Sequence, residues 1–132
     1  MRFAEVVAAS ARVAATSART AKRDALAALL ASLDPDEVVP AVGFLIGEPR
    51  QGRIGVGRRT LVAAHATPAE TPSLTIREVD TALEALAGTA GSGSAAARRA
   101  RLLELLGRST AAEATFIARL LGGELRQGAS SG

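Results

Sequence analysis

No cysteine occurs in this chain, which excludes disulfides and thiolate metal sites. The single histidine, His65, cannot build a histidine cluster and reads as a surface or helix-end residue. Tryptophan and tyrosine are absent and phenylalanine occurs three times, so the stacking platforms that hold single-stranded nucleic acid are missing. No apolar run approaches the roughly 18 residues that span a bilayer. The amino terminus carries Arg2 and Glu5 and has no signal-peptide pattern, so a cytoplasmic protein with no membrane partner is expected. Lysine is nearly missing too, with Lys22 the only one and arginine supplying the other basic side chains. A GC-rich genome accounts for that bias as well as function does.

What remains is dominated by Ala, Leu and Val, with 48% hydrophobic residues and 2% aromatic. Ala and Leu are strong helix formers, so a helical array with small side chains is expected. A length of 132 residues allows one domain with one core. The net charge of +3 is a mild excess over many opposite charges. Placement of the arginines, more than their sum, decides whether they meet nucleic acid.

The apolar spacing of Phe3, Val6, Val7 and Val13 predicts a helix over about 3–14. Thr16 or Ser17 can cap a second, with Leu26, Leu29, Leu30 and Leu33 as its stripe. Asp34-Pro35-Asp36-Glu37 reads as a helix start, although Pro40 should bend or delay that helix. A short helix is expected over 58–66, then a proline-bearing linker over about 66–74. Thr75 and Glu78 form a capping box for a helix to about Ala87, and Ser94 can cap the next. Thr110 and Glu113 form another box before Phe116, Ile117, Leu120 and Leu121. Nothing reads as a strand.

The sequence "GEPRQG" at 47–52 returns as "GELRQG" at 123–128, 76 positions later. At the same offset Leu26, Leu29 and Leu30 fall on Leu102, Leu105 and Leu106. Lys22 and Arg23 fall on Arg98 and Arg99, Asp34 on Thr110, and Glu37 on Glu113. Helices share apolar patterns easily, but matched caps, basic pairs and turns at one fixed offset go beyond that. The expected fold is therefore all-α, a multi-helix array of two pseudo-symmetric helical repeats. The first covers about 3–66 and the second about 75–132.

In each copy a helix ends at glycine and passes into a turn bearing arginine. Gly55 and Gly57 allow close backbone approach, and Arg50, Arg53, Arg58 and Arg59 add charge beside them. Such a turn suits a phosphate, whereas the structural alternative is a C-capping glycine with solvated arginines. Two copies, each preceded by a basic helix start (Ser17, Lys22 and Arg23; Ser94, Arg98 and Arg99), favour phosphate contact. Two related surfaces suit a duplex, whose strands are related by two-fold axes. No helix carries the Asn, Gln and Arg cluster of major-groove readout, so contact independent of base sequence is expected.

The stretches "GTAGSGSAAARRARLLELL" (88–106) and "TFIARLLGGELRQGA" (115–129) resemble the N-terminal DNA-binding domain of ATP-dependent DNA ligases. The earlier "VAATSART" and "GEPRQGRIGVG" fit the same domain in its bacterial branch. The resemblance implies two pseudo-symmetric helical halves that grip nicked double-stranded DNA through the minor groove, in repair, replication or recombination. It implies phosphate contacts at Arg50, Gly52, Arg53, Gly55 and Gly57 in the first half. In the second half it implies contacts at Ser94, Arg98, Arg99, Arg126 and Gly128. The family's chemistry lies in a separate adenylation domain that uses ATP and magnesium through a K-x-D-G lysine. Here Lys22 stands in "KRDA", without that glycine, and reads as a DNA-facing or solvated helix residue. No Walker loop occurs either. No cofactor or catalytic residue is expected in this chain, and the catalytic ligase domains are expected in cis or as a separate chain. The second turn runs into "ASSG" where a helix corresponding to 58–66 should begin, which predicts uncovered apolar surface. The competing reading is a helical protein-interaction module without DNA affinity.

Overall fold

The computed structural model describes residues 1–52, 54, 56, 60–61, 64–89 and 94–123. Among them the protein is all-α. Helix α1 spans Phe3–Ala15 and α2 spans Arg19–Ala31. A 3₁₀ turn at Pro35–Glu37 leads into α3, Val38–Ile46. The remaining described helices are α4 at Ile76–Gly88, α5 at Ser94–Gly107 and α6 at Ala111–Leu121. The only β-type pairing described is an isolated antiparallel bridge between Arg2 and Thr75.

Local chemistry explains most boundaries. Thr75 Oγ1 accepts from the Glu78 N–H at 3.1 Å while Glu78 Oε1 accepts from the Thr75 N–H at 3.0 Å. Thr110 and Glu113 make the same reciprocal pair, each bond filling an orphan helix-end donor. Before α3 the Asp34 N–H donates to Glu37 Oε1 at 2.9 Å. Pro40 is accommodated because Pro35–Glu37 takes a 3₁₀ turn and the α-helix starts only at Val38. That places the missing N–H in the first helical turn, where no intrahelical partner is required.

Two expectations change. Helix α2 begins after Ala18 with no side-chain cap, because Thr16 Oγ1 instead accepts from the Ala18 N–H at 3.2 Å. Ser94 is the first residue of α5 and nearly buried, with its Oγ accepting from Arg98 Nη2 at 3.1 Å. Residues 58, 59, 62 and 63 of the helix expected over 58–66 lie outside the described residues; Thr60 and Leu61 are helical, whereas Ala64 to Ala66 are not.

One core joins the helices. Its three phenylalanines meet, with the Phe3 ring edge-on to Phe44 at 5.4 Å and to Phe116 at 5.6 Å between centroids. Phe3 of α1 thereby ties α3 to α6. The proline-bearing stretch before α4 is exposed at Pro68 and over Glu70–Ser73 and enters this core at its end, where Leu74 is fully buried. Its carbonyl accepts from the Phe3 N–H at 2.9 Å, and the Ile76 N–H donates to the Met1 carbonyl at 3.0 Å. Buried Glu37 also takes the Met1 ammonium on Oε2 at 2.6 Å.

Candidate nucleic-acid interface

The first turn begins where Gly47 ends α3 with φ 78°, a left-handed conformation that side chains disfavour. The Gly47 N–H donates to the Phe44 carbonyl at 3.3 Å and the Glu48 N–H to the Gly43 carbonyl at 2.8 Å. This Schellman pairing satisfies two of the helix's last carbonyls. At 76 positions further, Gly123 ends α6 with φ 77° and donates to the Leu120 carbonyl at 3.3 Å. Gly47 and Gly123 thus share a left-handed backbone conformation and a hydrogen bond to the carbonyl three residues before.

The chain then folds back onto its own helix. A Cβ at Gly43 would stand 2.7 Å from the Glu48 carbonyl oxygen and 3.3 Å from the Arg50 nitrogen. Only glycine leaves that approach open. Pro49 is buried, and its carbonyl accepts from the Gly52 N–H at 2.8 Å, closing a four-residue turn. Gly52 again takes a positive φ of 74° and is exposed. Gly47, Pro49 and Gly52 face Leu120, Gly122 and Gly123 across one shallow depression of about 90 Å³. Tertiary packing thus brings the first turn beside the end of α6.

Arg50 does not stand free. Its Nε lies 2.9 Å from both Asp80 carboxylate oxygens, and its Nη2 lies 3.0 Å from Glu84 Oε2. The hydrogen bond to Asp80 outweighs partial desolvation and raises the Arg50 pKa above its ordinary value. Gln51 Nε2 donates to Asp80 Oδ1 at 2.8 Å and to its carbonyl at 3.2 Å. The turn is therefore clamped to α4 through two consecutive side chains. Sequence reading missed Asp80, Glu84 and Gly43; of these only Gly43, a glycine inside an apolar helix, carried a local signal.

Ser17 is exposed just before α2, while Lys22 is half-buried on that helix. Arg98 is half-buried beside Ser94, and Arg99 on the same helix is exposed. The structure thus brings Ser94 and Arg98 together, and it anchors Arg50 to carboxylates. Arg53, Gly55, Gly57, Arg58, Arg126 and Gly128 lie outside the described residues. Among the described residues no group of three His, Cys, Asp or Glu could hold a metal ion. No described helix is long and apolar enough to cross a membrane.

A family model for the DNA ligase N terminus matches residues 59–132. The chain belongs to the DNA ligase N-terminal family. This ligase domain is 51% identical over its whole length to a protein of Rhodococcus jostii named "Probable DNA ligase". It is 51% identical over 98% of its length to one of Saccharopolyspora erythraea, and 48% identical over its whole length to one of an Anaeromyxobacter species. Both of these carry the same name. The domain spans about a quarter of these relatives, 26% of each.

Proposed function

We propose that this domain grips nicked double-stranded DNA for a ligase, through backbone phosphates and the minor groove and without regard to base sequence. The observation that carries the reading is the pair of glycine-ended helices, Gly47 and Gly123, brought to one depression in a DNA ligase N-terminal domain. Backbone N–H groups and nearby arginines at such turns are suited to phosphate, whose position carries no base identity. The matched turns and caps support two pseudo-symmetric halves, each offering one such turn. The clamp on Arg50 assigns that residue to positioning the turn, leaving direct contact to Gly52, Arg53 and the glycines after it.

Chemistry belongs to the ligase's other domains, in cis or on a separate chain, where ATP and magnesium would act. This domain would hold the nick for them, in repair, replication or recombination in the cytoplasm. Engaging about five phosphates gives a slope near −4.5 for log affinity against log salt on duplex DNA. Titration of labelled nicked duplex, intact duplex and single strand across salt concentrations tests this. A salt-independent affinity, or a preference for single strands, would refute it.

A further inference from the structure

The first glycine turn is held from outside, by α4. The Asp80 side chain is only 15% exposed and accepts from both Arg50 Nε and Gln51 Nε2. Gln51 directs its amide nitrogen to the carboxylate and to the carbonyl of that one residue. Its own Oε1 is buried and finds no hydrogen-bond partner among the described residues. A contact that served stability alone would not strand a buried acceptor. The outer pair of Arg50 with Glu84 is solvated and adds little.

Helix α1 matches α4 but has no such acid. Two reciprocal bonds pair the helix starts across the Arg2–Thr75 bridge: Phe3 N–H to the Leu74 carbonyl, and Ile76 N–H to the Met1 carbonyl. In that register "FAEVV" of α1 stands against "IREVD" of α4. Phe3 and Val6 are buried as Ile76 and Val79 are, and Glu5, the one acid of α1, falls on Glu78. Asp80 and Glu84 then fall on Val7 and Ala11. The two carboxylates are therefore particular to α4, not a requirement of the helix type.

Immediately past the clamp the surface is open. Gly52 is exposed, and no atom stands within 4 Å of where its Cβ would be. We infer that Asp80 is a positioning residue for phosphate recognition, which through Arg50 and Gln51 fixes the direction in which the main chain at Gly52 meets the DNA backbone. The inference rests on the reading of this turn as a phosphate contact. It runs against simple charge, since a carboxylate repels a polyanion and its removal alone would tighten binding. Arg50 already balances that carboxylate, so little repulsion is left to relieve. A turn ordered before contact loses less freedom on binding, and that effect wins.

Asp80→Asn removes the charge and keeps the shape. Titrated against labelled nicked duplex at fixed salt, it should bind about fivefold more weakly than the wild type. Asp80→Glu keeps the charge and displaces the carboxylate by one methylene; it should weaken binding too, where charge alone predicts no change. Glu70→Gln, an exposed acid outside the turn, calibrates the loss of one negative charge and should not weaken binding. The Asp80→Asn loss should vanish in a background of Arg50→Ala with Gln51→Ala, because Asp80 acts through those two side chains. Unchanged or tighter binding by Asp80→Asn would overturn the inference, as would a loss of full size in that background. A second readout needs no DNA: exchange of the Gly52 N–H in the free domain, followed by NMR, should quicken about fivefold in Asp80→Asn. An unchanged exchange rate would equally overturn it. Failure of the wild type to bind duplex refutes the DNA reading, whereas wild-type binding with an unaffected Asp80→Asn refutes this inference alone.

Discussion

Asp80 accepts from both Arg50 and Gln51, so one carboxylate on α4 holds two consecutive residues of the first glycine turn. The charge that reads from sequence as a phosphate ligand is occupied within the domain. Its separation from the arginines that follow can be measured.

Arg50→Ala should leave the salt slope of DNA binding unchanged, while Arg53→Ala and Arg126→Ala should each flatten it by about one. Asp80→Ala should cost about 1 kcal/mol of stability, since the Arg50 ion pair is partly solvated and most of the loss comes from the hydrogen bonds. Salt-series titrations and denaturant midpoints of the four variants check this. A flattened slope in Arg50→Ala would return that side chain to the interface.

Gly43→Ala tests the fold-back of the turn. Alanine normally favours a helix over glycine by about 1 kcal/mol. Here its Cβ would collide with the Glu48 carbonyl, so destabilisation of about 1–3 kcal/mol is expected. Gly123→Ala meets no atom within 4 Å and should cost only the left-handed backbone penalty, about 1–2 kcal/mol. Urea unfolding of both variants distinguishes a clash from a backbone effect.

Glu37 should make the fold acid-sensitive. The Met1 ammonium, followed by the Asp34 N–H, lowers its pKa below the ordinary 4.5. Hydrogen bonds from Arg108 and then Thr75 lower that of Glu78 in the same way. A depressed carboxyl contributes stability that is fully present above its unfolded pKa and is lost as pH falls through the folded value. Stability should therefore decline below about pH 4.5. Glu37→Gln, which breaks a buried ion pair, should cost about 3 kcal/mol near neutrality and flatten that decline. Thermal melts across pH 3–7 test the sign; stability rising on acidification would refute it.

Phe3→Ala should be among the most damaging single changes, at about 3–5 kcal/mol. Phe3 is fully buried and makes edge contacts with rings on both α3 and α6. Loss of near-ultraviolet signal together with a lowered denaturation midpoint is the expected observation.

Much of the helical layout was open to reading because its causes are local. The Thr75 and Thr110 boxes, the Pro35 start and the glycine ends at 47 and 123 depend on residues within a turn or two, so spacing and side-chain chemistry suffice. The two stretches GEPRQG and GELRQG, differing at one position, and the matched leucines likewise lie in the chain itself. Tertiary structure alone decided which partners those elements met. Arg50 found Asp80 and Glu84, thirty and more positions away, and no short-range pattern encodes such a pairing. Leu74 joins the core where its carbonyl accepts from the Phe3 N–H, beside the Arg2–Thr75 bridge and more than seventy positions from that partner. Equivalent leucines became unequal for the same reason: burial is set by what packs over a helix, and Leu106 is covered while Leu30 is not.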